Sequence, residues 1–252
     1  MVLCGLEFGC GAAGGPSRVV RTAAAADLRF AMEDLVGAFS RDHPDIAVEP
    51  SYGSSGVFFA QLRNGAPFDL YFSADAAYPR RLTEEGLTLP DSEFIYAAGR
   101  IVLWTPRDSP LAVAERGDAA LNDPRLKRLA IANPRHAPYG RAAEQALRSR
   151  GRREAVADKL VFGENVAQAL QFAQSGAADA AVVALALALA PSIREEGVYW
   201  EFPLESYSRM EQGGAVMRGS KEPAAALAFR DFVLSEPGRA VLKRYGFFMP
   251  ED

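Results

Sequence analysis

Strand-like and helix-like stretches alternate along almost the whole chain, and this alternation limits its fold more than any other feature. Val19 and Val20 lead into TAAAAD, after which Leu28, Met32, Leu35, Val36 and Phe39 recur at helical spacing until Asp42-His43-Pro44 stops them. Ile46 and Val48 begin a second strand that runs to YGSSG at 52–56, and Phe58, Phe59 and Leu62 mark a short helix ended by Asn64-Gly65. The run FDLYF at 68–72 is apolar throughout, as a strand covered on both faces is, and a helix closing at Gly86 follows it. FIYAAGRIVLW at 94–104 reads as a longer strand broken by Gly99, where one sheet hands the chain to another. Strands at 129–132, 159–162 and 180–183 then alternate with helices to Gly151 and over 166–176. A return strand at 198–203 and a last strand at 215–217 precede two helices, 223–234 and 237–245, each with a proline near its first turn.

The pattern predicts an α/β fold of mainly parallel sheets flanked by helices. Crossings near Gly99 and Pro203 divide it into two lobes, 17–98 plus 203–252 and 99–202, after a Gly/Ala-rich segment at 1–16 that is expected to be disordered. A chain of 252 residues, 49% hydrophobic, has the apolar content for two such cores. A net charge of -4 offers no basic field to a polyanion, so no nucleic acid partner is expected and any anion bound is small. Cys4 and Cys10 are the only cysteines and both lie in the first sixteen residues, so neither disulfides nor a cysteine-ligated metal hold the fold together. That N-terminus has no charged start followed by a long apolar run, so an export signal is not evident. The apolar run at 177–190 carries Asp179 and is too short for a bilayer of about 30 Å; it reads as a buried strand running into a helix.

Three loops share one design, at 52–57, 136–141 and 163–166: each leaves a strand, presents small or hydroxylic residues and enters a helix. Loops at the carboxyl ends of parallel strands gather on one edge of a sheet. Helices starting there turn unpaired N–H groups and the positive end of the dipole outward, which favours an anion. Ser54, Ser55 and Tyr139 are the candidate donors. Each piece alone has a plainer reading: Ser-Ser-Gly as a cap and turn, Pro138-Tyr139-Gly140 as a turn with a packed tyrosine. Their joint occurrence points to a dedicated anion site. YGSSG has neither the spacing of a nucleophile elbow nor the Gly-Lys-Ser/Thr ending of a P-loop. His43 sits at a helix end, and His136, in a candidate ligand loop, has no evident orienting partner for a serine nucleophile. Two histidines without an acid cluster make no zinc site, and Asp69, Asp75 and Glu84 read as surface or capping residues. No catalytic residue, cofactor or enzymatic activity is expected.

At these residues the sequence resembles the periplasmic molybdate-binding proteins of ABC importers. The resemblance runs from about Arg18 to Pro250 through AAAADL, YGSSGVFFAQLRNGAPFDLYFSAD, GRIVLW, IANPRHAPYGRAA, GENVAQALQFAQSGAADAAVVAL and KRYGFFMP. It implies a type II periplasmic-binding-protein fold, two lobes with two hinge crossings closing on a tetrahedral oxyanion. The implied ligand is molybdate, with tungstate as a near equivalent; the metal has no direct protein ligands. The implied partner is a membrane permease on which a monomeric periplasmic protein docks transiently. Carried over by motif, the oxyanion site comprises Ala26, Asp27, Ser54, Ser55, Tyr139 and Val166. Some relatives add a tyrosine after the late buried strand; Ala184 stands there in this chain, and Tyr139 is expected to supply its contribution. The alternatives are a receptor or intracellular sensor for another tetrahedral oxyanion such as sulfate, or an enzyme on the same fold.

Asp27 departs from the family pattern, where serine or asparagine is common. An ionised carboxylate only accepts hydrogen bonds. About 4 Å from a single ligand charge it costs roughly 1 kcal/mol in water and about 4 kcal/mol at an effective dielectric of 20. The expectation is that its side chain turns away to cap the helix that follows, leaving its backbone N–H to the ligand.

Overall fold

The structure, a computed structural model, describes residues 15–250. All of the expected disordered segment except Gly15 and Pro16, including both cysteines, lies outside the described residues. The strands are β1 Arg18–Ala25, β2 Ile46–Gly53, β3 Leu70–Ser73, β4 Phe94–Gly99, β5 Ile101–Pro106, β6 Leu129–Ala132, β7 Leu160–Gly163, β8 Ala180–Ala184, β9 Gly197–Glu201 and β10 Met210–Val216. The helices are α1 Arg29–Asp42, α2 Ser55–Arg63, α3 Ala77–Glu84, α4 Val113–Arg116, α5 Pro138–Ser149, α6 Val166–Gln174, α7 Leu185–Ala188, α8 Pro223–Leu234 and α9 Glu236–Arg244. A single 3-10 turn, Ala26–Leu28, joins β1 to α1.

The strands form two five-stranded sheets, in the orders β2-β1-β3-β10-β4 and β7-β6-β8-β5-β9. In each sheet one strand opposes the other four: β10 is antiparallel to β3 and β4, and β5 to β8 and β9. These two are the strands by which the chain enters a sheet from the other one, through Arg100 into β5 and through residues 202–209 into β10. The remaining pairs, β1 with β2 and β3, and β6 with β7 and β8, are parallel. Their carboxyl ends therefore lie together on one edge of each sheet, which is where the loops of interest leave.

The helices form because their apolar residues fall on one face: Ala31, Met32, Leu35 and Phe39 of α1 are buried. Phe39 meets Phe229 of α8 edge-on with ring centroids 5.1 Å apart, and Phe72 of β3 meets both Phe94 and Tyr96 of β4 at 5.4 Å. The late apolar run is the buried strand β8 followed by α7, and no helix among the described residues is long and apolar enough to cross a membrane.

One boundary differs from the sequence reading by more than two residues. The last strand begins at Met210, five residues before the expected start at Ala215. Gly213-Gly214, outside the expected strand, lies within the observed one, with a register shift between Gln212 and Gly213. A Cβ on Gly214 would stand 2.3 Å from the Tyr71 carbonyl oxygen and 2.5 Å from the Phe94 ring. Close packing, not a turn, requires the glycine there.

Candidate functional site

The turn Ala26–Leu28 and the first turns of α2, α5 and α6 converge on one small cavity. Ala26, Asp27, Ser54 and Ser55 reach it from the half built on the first sheet, Tyr139 and Val166 from the other. Its volume of about 10 Å³ is room for roughly one water molecule. No lysine or arginine lines it.

Local sequence sets each helix start. The Asn165 side chain caps α6 by accepting from the Gln168 N–H at 3.0 Å, which places Val166 at the first helical position with no intrahelical acceptor for its N–H. Pro138 opens α5, where a missing N–H costs nothing. A Cβ on Gly140 would lie 2.2 Å from the Ala132 carbonyl oxygen, so only glycine lets α5 start this close to the end of β6. At α2 the plainer reading of Ser-Ser-Gly as a cap is not met: Ser54 occupies the capping position, but its side chain makes no capping bond. Ser55, buried at the first position of α2, accepts the Ala74 N–H on its Oγ at 3.0 Å, which leaves its own hydroxyl proton for another acceptor.

The two halves are in contact across the cavity mouth. Ser54 Oγ donates to the His136 carbonyl oxygen at 2.8 Å, and the Gly56 N–H donates to the same oxygen at 3.0 Å. His136 Nδ1 lies 3.0 Å from Ser54 Oγ and donates to it in the tautomer that protonates Nδ1. Beside this contact Arg141 of α5 bonds to Asp75 at 2.5 Å and to the Tyr78 hydroxyl at 3.2 Å. Both partners of the Arg141–Asp75 pair are about a third exposed, so the pair is screened and worth at most about 1 kcal/mol. Arg141→Ala is expected to weaken ligand binding less than about fivefold by calorimetry; a larger loss would make this pair a principal holder of the closed form.

Asp27 does not cap a helix. Neither the 3-10 turn nor α1 has a side-chain cap, because Leu28 occupies the capping position of α1 and Asp27 lies within the turn, one residue too early. Its Oδ2 instead accepts from the Tyr139 hydroxyl at 2.9 Å and from Gln212 Nε2 at 2.7 Å. Gln212 Nε2 also lies 3.0 Å from the Tyr139 hydroxyl, and Gln212 Oε1 accepts from Tyr96 at 2.7 Å. Oδ1 is buried and, among the described residues, without a hydrogen-bond partner. Burial pushes the carboxyl up to about 6, against the lowering effect of hydrogen bonding from Gln212 and Tyr139 and, less strongly, from the backbone N–H groups of Asp27 and Leu28. Burial, and then the Asp27 charge, holds the Tyr139 phenol well above its ordinary range, so it stays a neutral donor.

Sequence reasoning missed Gln212 and Tyr96. The only signal was a lone polar residue beside two glycines, and Gln212 proves fully buried. Gly99 is explained by the same network: a Cβ there would stand 2.4 Å from the Tyr139 hydroxyl and 2.7 Å from Gln212 Nε2. Among the described residues no group of three or more His, Cys, Asp or Glu side chains is placed to hold a metal ion.

The family described as bacterial extracellular solute-binding protein matches residues 20–248. The chain is 36% identical over 228 residues to the molybdate-binding protein ModA of Azotobacter vinelandii, covering 90% of this chain and 89% of that protein. It is 34% identical over 212 residues to the protein of the same name from Rhodobacter capsulatus, covering 84% and 81%. The solved structure of the Azotobacter vinelandii periplasmic molybdate-binding protein superposes with a TM-score of 0.85 at 32% identity, over 92% of this chain and 99% of that one.

Proposed function

Because the chain belongs to the bacterial extracellular solute-binding protein family, we propose that it is the receptor of an ABC importer for molybdate, with tungstate as a near equivalent. It takes the oxyanion between its halves and delivers it to a membrane permease. The observation that carries this reading is the convergence of helix starts and hydroxyls from both halves on one cavity without a cationic side chain. First-turn N–H groups and the Ser55 hydroxyl replace the water around a tetrahedral dianion, and the positive ends of the helix dipoles face its charge. Such fixed dipoles hold a dry anion without a permanent countercharge, which suits a cargo that has to be released. The binding residues in this reading are Ala26, Asp27, Ser54, Ser55, Tyr139 and Val166. A tetrahedral oxyanion is larger than one water, so the cavity widens to admit it.

The lobes of this receptor are 17–98 with 203–252 and 99–202, the pieces between which the chain crosses at Arg100 and again before Met210. It acts as a periplasmic monomer, and its cycle makes and breaks no covalent bond. Calorimetric titration with molybdate, tungstate, sulfate and phosphate tests the reading: molybdate and tungstate should bind tightly and sulfate and phosphate weakly. A preference for sulfate or phosphate would reassign the cargo. Ser55→Ala should cost about 1–3 kcal/mol of molybdate affinity by leaving a buried oxygen of the guest unpaired; unchanged affinity would remove Ser55 from the site.

A further inference from the structure

The oxyanion site contains a carboxyl group, and the arrangement around it assigns that group a task. We propose that the oxyanion is bound together with one proton, held in a hydrogen bond between Oδ1 of Asp27 and an oxygen of the guest. This inference rests on the oxyanion reading given above and deepens it.

Three observations carry it. Asp27 lines the cavity shared with Ser55, Tyr139 and Val166 and is only 1% exposed. Its two oxygens are used unequally: Oδ2 is satisfied by Tyr139 and Gln212, whereas Oδ1 has no partner among the described residues. No cation lies beside it to balance its charge. Tyr139 faces it from α5 and Gln212 from β10, with Tyr96 of β4 behind Gln212, and all three are neutral. Helices α6 and α7 carry no ionisable residue. On α1 and β2, which also pack against the turn, Arg29, Glu33 and Glu49 are exposed to solvent, and Tyr52 is half-buried. Of the two histidines, His136 reaches the site through Ser54, and Glu164 lies 3.7 Å from its Nε2.

A bare carboxylate oxygen beside a bare oxyanion oxygen would be two acceptors and two negative charges in a dry space. One proton between them removes a charge and supplies the missing donor. Molybdate, tungstate and sulfate carry no proton in neutral water, so each must pick one up on binding. Asp27 therefore makes the binding of these proton-free dianions depend on proton uptake.

Calorimetry of the wild-type protein with molybdate at about pH 8, in buffers of differing ionisation enthalpy, should report uptake of about one proton per oxyanion. Affinity should weaken about tenfold for each pH unit between about pH 6 and pH 8, where the ligand-free carboxyl has lost its proton and the shared proton of the complex must be taken from water. In Asp27→Asn the amide oxygen keeps the bonds from Tyr139 and Gln212, and the amide N–H takes the donor role of the shared proton. The variant should show no proton uptake and an affinity flat between about pH 6 and pH 8, overtaking the wild type at the alkaline end. Tight molybdate binding by the wild type without proton uptake would overturn the inference and leave the receptor reading standing. Absence of oxyanion binding by both proteins at every pH would overturn both. A wild-type uptake that persists undiminished in Asp27→Asn would move the proton to another group, and that too defeats the proposal.

Discussion

Gly56→Ala is expected to lower molybdate affinity by about 2–4 kcal/mol while leaving the free protein as stable as before or slightly more so. The two effects separate because the new methyl group meets the other half of the molecule. A Cβ on Gly56 would stand 2.5 Å from the His136 carbonyl oxygen and 3.1 Å from the His136 α-carbon. Its other close neighbour is the Tyr78 hydroxyl at 2.8 Å, the far end of a side chain that can swing away. Backbone at His136 has no such freedom, so the halves must part. Parting breaks the bonds that Ser54 and Gly56 both make to the His136 oxygen, each worth about 0.5–1.5 kcal/mol. Within its own half the change is favourable, since Gly56 lies in α2 and alanine is the better helix former by about 1 kcal/mol. Calorimetry and thermal unfolding of the same preparation check both parts. Unaltered affinity would mean that the approach of α2 to His136 is not the liganded arrangement, and a large drop in melting temperature would make Gly56 a folding residue instead of a closing one.

How far such a site can be read from sequence depends on whether a residue's role is local. Val166 and Tyr139 were legible because a helix start is encoded within a few residues: Asn165 caps α6, and Pro138 opens α5. The alternation of strands and helices was legible for the same reason, each period being short. Asp27 was legible as an anomaly and not as a contact. Its partner Gln212 is 185 residues away and its other partner Tyr139 is 112 away, and no local pattern relates them. Gln212 itself was hidden because it lies with Gly213-Gly214 outside the expected strand, whereas the glycines are there to let β10 pass close to Tyr71 and Phe94. The contact that Ser54 makes was hidden for the same reason. A serine before a helix reads as a cap, but the oxygen of His136, supplied by the opposite half, outcompetes the N–H groups of its own helix.

Without ligand, the protein is expected to close more readily as pH falls, by about two orders of magnitude between about pH 7 and pH 4. Asp27 is buried by both halves: Gln212 covers it from its own sheet, and Tyr139 covers it from across the cleft. Parting the halves removes Tyr139 and admits water, returning the carboxyl toward the ordinary value of 3.8, whereas closing raises it to about 6. Below about pH 4 the group is protonated in both forms and closing costs nothing. As pH rises through about 6 the closed form must bury a charge that the open form keeps in water, and a shift of about two units corresponds to about 3 kcal/mol against closure. Small-angle scattering of the ligand-free protein should therefore give a smaller radius of gyration at pH 4.5 than at pH 7.5, and Asp27→Asn should be compact at both. Equal radii in the wild type would sink this account, as would an unchanged pH response in the variant. At neutral pH the receptor then rests open, because its own carboxylate resists the closed form, and the oxyanion with its shared proton lifts that resistance. Closure becomes a signal of loading, and a permease that docks only the closed form is protected from unloaded receptors.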